Sequence, residues 1–151
     1  MKLQGKADFQ ASREIVWEVM NETETLKKAT PGCKELIEVE EGFYKASLEM
    51  GVAAIKGHYD GEIVLSEKQE PERMTLKIKA EGAAGIVDAT AHLIFVDTAD
   101  GTVVEYNGEG TVSGLIAGVG QRMLTGVAKM ILGQFFKAIA KEVKVAQSKA
   151  S

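Results

Sequence analysis

The chain is poor in the residues that build covalent and metal-held scaffolds. Its 151 residues include one cysteine, Cys33, so no internal disulfide can form and a disulfide-stapled fold is excluded. Its two histidines, His58 and His92, have no carboxylates at ligand spacing, and no metal site is expected. Aromatic residues are 6% of the chain, too few for base-stacking platforms, and the basic residues of the first 114 positions are mixed with more numerous acids. Both facts argue against nucleic-acid binding. The amino terminus, Met1-Lys2-Leu3-Gln4-Gly5-Lys6, lacks the apolar stretch of a secretory signal, and no uninterrupted apolar run reaches membrane-spanning length. A cytoplasmic location is therefore expected. No Ser-His-Asp arrangement stands out, and Gly118-Val119-Gly120 and Gly108-Glu109-Gly110 lack a strand–turn–helix context for phosphate. Neither a catalytic residue nor a cofactor is expected.

Glycine and alanine are present where bulk would be normal. Between residues 53 and 65 the odd positions read Ala53, Ile55, Gly57, Tyr59, Gly61, Ile63 and Leu65, with Lys56, His58, Asp60 and Glu62 opposite. Period two marks a half-buried strand. Met74, Leu76, Ile78, Ala80 and Gly82 repeat the pattern, as do Val87, Ala89, Ala91, Leu93 and Phe95, and then Val104, Tyr106, Gly108, Gly110 and Val112. Glycine inside a strand weakens it unless the sheet coils sharply there or something must approach closely. The favoured reading is a hollow interior. A dry void of roughly 300 Å³ would cost on the order of 7 kcal/mol, comparable with the roughly 5 to 15 kcal/mol that holds a domain together. An apolar ligand is the favourable filler.

The order of elements follows from the punctuation. Residues 2–10 alternate as a first strand through Leu3, Gly5, Ala7 and Phe9, and Ser12 is placed to cap a helix carrying Ile15, Val16, Val19 and Met20. A second short helix is expected from Asn21, with Glu24 completing a capping box, until Pro31-Gly32 stops it. Strands near 34–40 and 43–53 flank Glu41-Gly42; Pro71, the Gly82/Gly85 pair and Asp100-Gly101 mark later turns. From Leu115 to about Gln147 apolar residues recur at helical spacing through Leu124, Val127, Ile131, Phe135 and Ala138, while Arg122, Lys129, Lys137 and Lys144 share the opposite side. Residues 115–151 carry +5 and the rest −9, so attraction between the two is expected. The basic face has three readings: solvated surface, attachment to the acidic body, or contact with anionic lipid or a partner.

These elements predict one α+β domain over residues 1–151: a curved antiparallel sheet of about seven strands around a long C-terminal helix, with two short helices after the first strand. The cavity residues expected are Phe9, Trp17, Leu48, Tyr59, Ile63, Ile78, Ala80, Ala89, Leu93, Val104, Tyr106, Leu124, Val127 and Ile131. Tyr59 and Tyr106 either offer hydroxyls to a headgroup or satisfy backbone groups. Trp17 either lines the mouth or anchors the first helix, and Cys33 reads as a structural turn residue more than a reactive thiol.

The ordered set resembles the helix-grip fold of the START and birch-pollen-allergen superfamily. Within it, Val16-Trp17, Leu26, Pro31-Gly32-Cys33, Gly57 and Gly61 around Tyr59, Gly101-Thr102, Tyr106, the run Gly114 to Arg122, and Phe135-Phe136 are similar to the G-subunit family of carbon monoxide dehydrogenase. Thr30 and Asn21 depart from the family, which more often has an aliphatic residue and an aspartate there. The resemblance implies a non-catalytic accessory protein serving a molybdenum-containing, carbon monoxide dehydrogenase-like hydroxylase. It implies contact with the periphery of the cytoplasmic membrane and a cavity suited to a quinone or other prenyl lipid. An assembly factor working through its surface, or a small-molecule enzyme of the same superfold, is the alternative.

Overall fold

Alternating apolar positions become strands that pair in chain order. The computed structural model describes residues 1–150. Its elements are β1 (Lys2–Phe9), α1 (Arg13–Met20), α2 (Thr23–Ala29), β2 (Cys33–Glu40), β3 (Phe43–Met50), β4 (Gly57–Gln69), β5 (Arg73–Gly82), β6 (Gly85–Thr98), β7 (Gly101–Ser113) and α3 (Gln121–Ala150). Short 3-10 turns occupy Ala53–Ile55 and Leu115–Val119. The seven strands form one open antiparallel sheet ordered β1-β7-β6-β5-β4-β3-β2, a meander in which β1 returns beside β7. This is the α+β helix-grip arrangement, with α3 set against the inner face.

Local chemistry explains the boundaries. Ser12, extended at φ −66°, accepts the Ile15 amide on Oγ at 3.4 Å and starts α1. That helix buries Val16, Trp17, Val19 and Met20, and the Trp17 ring meets Phe95 edge-on at 5.2 Å. Asn21 does not cap the second helix as expected. Its amide donates to the Trp17 carbonyl at 2.8 Å, closing α1, and α2 starts at Thr23 with no side-chain cap. Residues 53–55 are likewise not strand: the chain leaves the sheet after Met50 and rejoins at Gly57. The final helix begins at Gln121, because Gly114 (φ +85°) and Gly120 (φ +95°) take positive φ values that a regular helix does not contain.

The interior is packed at one end and open at the other. Phe9, Trp17, Phe95, Val104, Phe136 and Ile139 close the first. Only the second half of α3 buries bulky side chains there, through Phe136, Ile139 and Val143, whereas Leu124, Val127, Ile131 and Leu132 stay half-buried. The expected attraction between basic helix and acidic body is not what the ion pairs show. Arg122, Lys129, Lys137 and Lys144 are exposed without a carboxylate partner among the described residues, and the one pair involving α3 joins its Glu142 to Lys28 at 3.8 Å.

Candidate ligand cavity

Cross-strand register decides where the interior is empty. On the inner face Ala89 faces Gly110, Ala91 faces Gly108, and Gly61 faces both Ala46 and Ala80, so small residues meet small residues in three of the strand pairings. The result is a cavity of about 300 Å³, partly open to solvent, between the sheet and the first half of α3. Its wall is aliphatic and aromatic almost throughout. The few polar contributors are the Tyr59 and Tyr106 hydroxyls, Thr30, Thr90 and, at the rim, Glu109, which pairs with Lys2 at 3.5 Å.

The tyrosines differ. Tyr59 is buried and its hydroxyl donates to the Ile55 carbonyl at 2.8 Å, tying the 3-10 turn to β4; burial pushes its phenol above the usual value. The Tyr106 ring lies across Gly5 and stacks on Phe136 at 5.2 Å, and its hydroxyl has no partner among the described residues. A Cβ at Gly5 would overlap that hydroxyl, and one at Gly82 would run into the Tyr59 ring and the His58 carbonyl. These two glycines make room for aromatic rings. At Gly61, Gly108 and Gly110 an added Cβ meets only ordinary contacts of 3.4 to 3.9 Å, so their missing side chains leave space.

Nine expected cavity residues are on the wall: Leu48, Tyr59, Ile63, Ile78, Ala80, Ala89, Leu93, Tyr106 and Ile131. Five are not. Phe9 packs on Phe136, Trp17 on Phe95, and Val104 is fully buried, all at the closed end, while Leu124 and Val127 lie beside the wall on α3. Besides Ile131 the helix presents Ala128, Leu132, Phe135 and Phe136, together an i, i+3, i+4, i+7, i+8 stripe that sequence spacing contained. Ile55 and Ile116, one from each 3-10 turn, also reach the wall. Alternation turns Ile55 inward, as part of a strand; Ile116 carries no such signal.

The remaining candidates sit elsewhere. Cys33 is half-buried, its thiol donates to the Glu35 carbonyl at 3.3 Å, and burial, which disfavours the thiolate, pushes its pKa up even though nearby Lys27 favours the thiolate. It borders an open surface hollow of about 520 Å³ lined by Glu24, Lys27 and Lys28, a solvated depression. His58 and His92 are on the outer face; His92 Nδ1 lies 3.1 Å from Thr75 Oγ1. Among the described residues no three His, Cys, Asp or Glu side chains converge as metal ligands would.

A helix-grip domain with an apolar cavity is thus defined by topology and wall alike. Residues 5–144 match the model of the carbon monoxide dehydrogenase G-subunit (CoxG) family, and the chain belongs to that family. It is similar to a conserved protein from Geobacillus kaustophilus, with 34% identity, 97% of each chain covered and a TM-score of 0.93. Proteins from Chromobacterium violaceum (16% identity, 94% and 96% covered, TM-score 0.72) and Nitrosomonas europaea (16%, 100% and 97%, 0.70) share the fold. No curated protein matches the sequence.

Proposed function

We propose that this protein is a non-catalytic accessory protein that carries an apolar molecule, a quinone or similar prenyl lipid, and serves a carbon monoxide dehydrogenase-like molybdenum hydroxylase at the cytoplasmic face of the membrane. The observation that carries the reading is the cavity of about 300 Å³ walled by hydrocarbon. Left dry, that volume would cost on the order of 7 kcal/mol, whereas each CH₂ of a bound chain contributes about 0.8 kcal/mol before association costs. The volume is at the small end for a drug-sized ligand, roughly 300 to 1,000 Å³, so a long prenyl chain would extend through the open side. Among the described residues the wall brings together no acid–base pair of the kind a hydrolase or cyclase needs, which supports carriage over catalysis. Family membership supports the accessory role and the partner.

Native mass spectrometry of freshly purified protein, followed by organic extraction, tests this. The expected result is an adduct whose extracted mass is that of a prenyl lipid, lost in Ala89→Phe, which fills the middle of the wall. Protein that carries no lipid and takes up no added quinone would refute carriage.

A further inference from the structure

We propose that the 3-10 turn Leu115–Val119 and the outward side of the first half of α3 form a docking surface for an anionic lipid bilayer. Isolated exposed apolar side chains are ordinary on a soluble protein. Here they gather along one short stretch: Leu115 is 81% exposed, Met123 54%, Met130 40% and Val119 37%. Met123 and Met130 are seven residues apart, as are Arg122 and Lys129 beside them, so the four share one side of the helix. Both bases are exposed without a carboxylate partner among the described residues. No Asp or Glu occurs between Glu109 and Glu142, in a chain whose remainder is strongly acidic. Such a surface suits negatively charged headgroups above and acyl chains below, the pairing that holds interfacial helices. An acidic protein partner would match the bases, but gives no reason for four apolar tips in water.

The surface is also the outside of the cavity wall. Ile116, next to Leu115, is 2% exposed and lines the cavity, and Ala128, Ile131 and Leu132 line it from the inner side of the same helical turns. One layer of side chains separates interior from exterior. Gly114 and Gly120 bound the turn at positive φ, and Cβ atoms at Gly118, Gly120 and Gly126 would meet open space. Docking there puts this part of the cavity wall against the bilayer. The inference rests on the carrier reading only for its purpose; the surface itself stands on exposure and charge.

The test is co-sedimentation of the full chain with vesicles of phosphatidylcholine alone or with phosphatidylglycerol, at low and high salt. Binding is expected only with phosphatidylglycerol, falling as salt rises. Arg122→Gln with Lys129→Gln should weaken it roughly thirtyfold, from about 1 kcal/mol per base, and Leu115→Ser with Met123→Ser should also release the protein. Lys137→Gln with Lys141→Gln, beyond the surface, should change binding less than threefold. Circular dichroism of each variant keeps misfolding from passing as lost affinity. No binding to anionic vesicles, or equal loss in the Lys137/Lys141 control, overturns the proposal. Vesicle binding by protein that holds no lipid would sink the carrier reading alone, and lipid-loaded protein that ignores vesicles would sink the docking surface alone.

Discussion

At Gly5 the Tyr106 ring fills the space a side chain would take, and at Gly108 nothing does. Strand glycines on the inner face therefore answer two different demands, and substitution separates them. In Gly5→Ala the new methyl must displace a ring held between β1 and Phe136, a form of overpacking that typically costs about 1 to 3 kcal/mol. In Gly108→Ala the methyl meets the Thr90 carbonyl at 3.5 Å and Ala91 Cβ at 3.6 Å. The lower backbone entropy of alanine should then stabilise the strand by roughly 0.5 to 1 kcal/mol. Urea unfolding of both variants checks the contrast; equal destabilisation would mean that Gly108 also faces packed atoms. Sequence alternation marks both glycines as inward-facing but cannot distinguish them, because what fills Gly5 comes from Tyr106, a residue 101 positions away in sequence and directly opposite in register.

Elements are legible where one periodicity prevails and misleading where two overlap. The strand wall can be read because parity leaves two choices of face, and charge picks one. Residues 53–55 keep the parity of β4, yet the chain turns out of the sheet there and Ile55 enters the wall through a turn. Leu115, Ile116 and Val119 continue the helical spacing of α3, and backbone at Gly114 and Gly120 breaks it. On α3 itself the apolar stripe is broad enough to contain two phases, so spacing points to Leu124 and Val127 where Ala128 and Leu132 face the hollow. Outside, the β3–β4 pairing carries its own marker. His58 sits between Glu49 Oε1 at 2.8 Å and Asp60 Oδ1 at 3.1 Å, and the Glu49 bond foremost, then Asp60, raises its pKa above 6.5. Folding thus gains from this cluster when the imidazole is charged: the gain is complete below the unfolded value and fades as pH rises through the folded one. NMR titration of the His58 ring should give a midpoint above that of an unperturbed histidine, and Glu49→Gln should bring it down. A midpoint unchanged by that substitution would contradict the pairing.

For the whole molecule, the long C-terminal helix is set against two environments at once. By length and composition α3 is apolar enough to cross a membrane, and in the fold that excess is divided. Its second half supplies Phe136, Ile139 and Val143 to the closed core, while its first half spans a hollow it does not fill. The domain is consequently built short of its best packing, and a cargo of the proposed kind would complete it. Anything that binds the native state but not the unfolded chain stabilises by RT ln(1 + [L]/Kd), about 2.7 kcal/mol at a hundredfold excess over Kd. For a chain of this size each kcal/mol moves Tm by about 2 to 4 °C. Lipid-stripped protein given a short-chain quinone in detergent-free buffer should therefore melt roughly 5 to 11 °C higher, with the shift growing with quinone concentration. Ala89→Phe, which occupies the same space with its own ring, should melt at one temperature whatever quinone is added. Wild-type protein indifferent to quinone across that range would mean that the apolar cavity has no use for such a cargo.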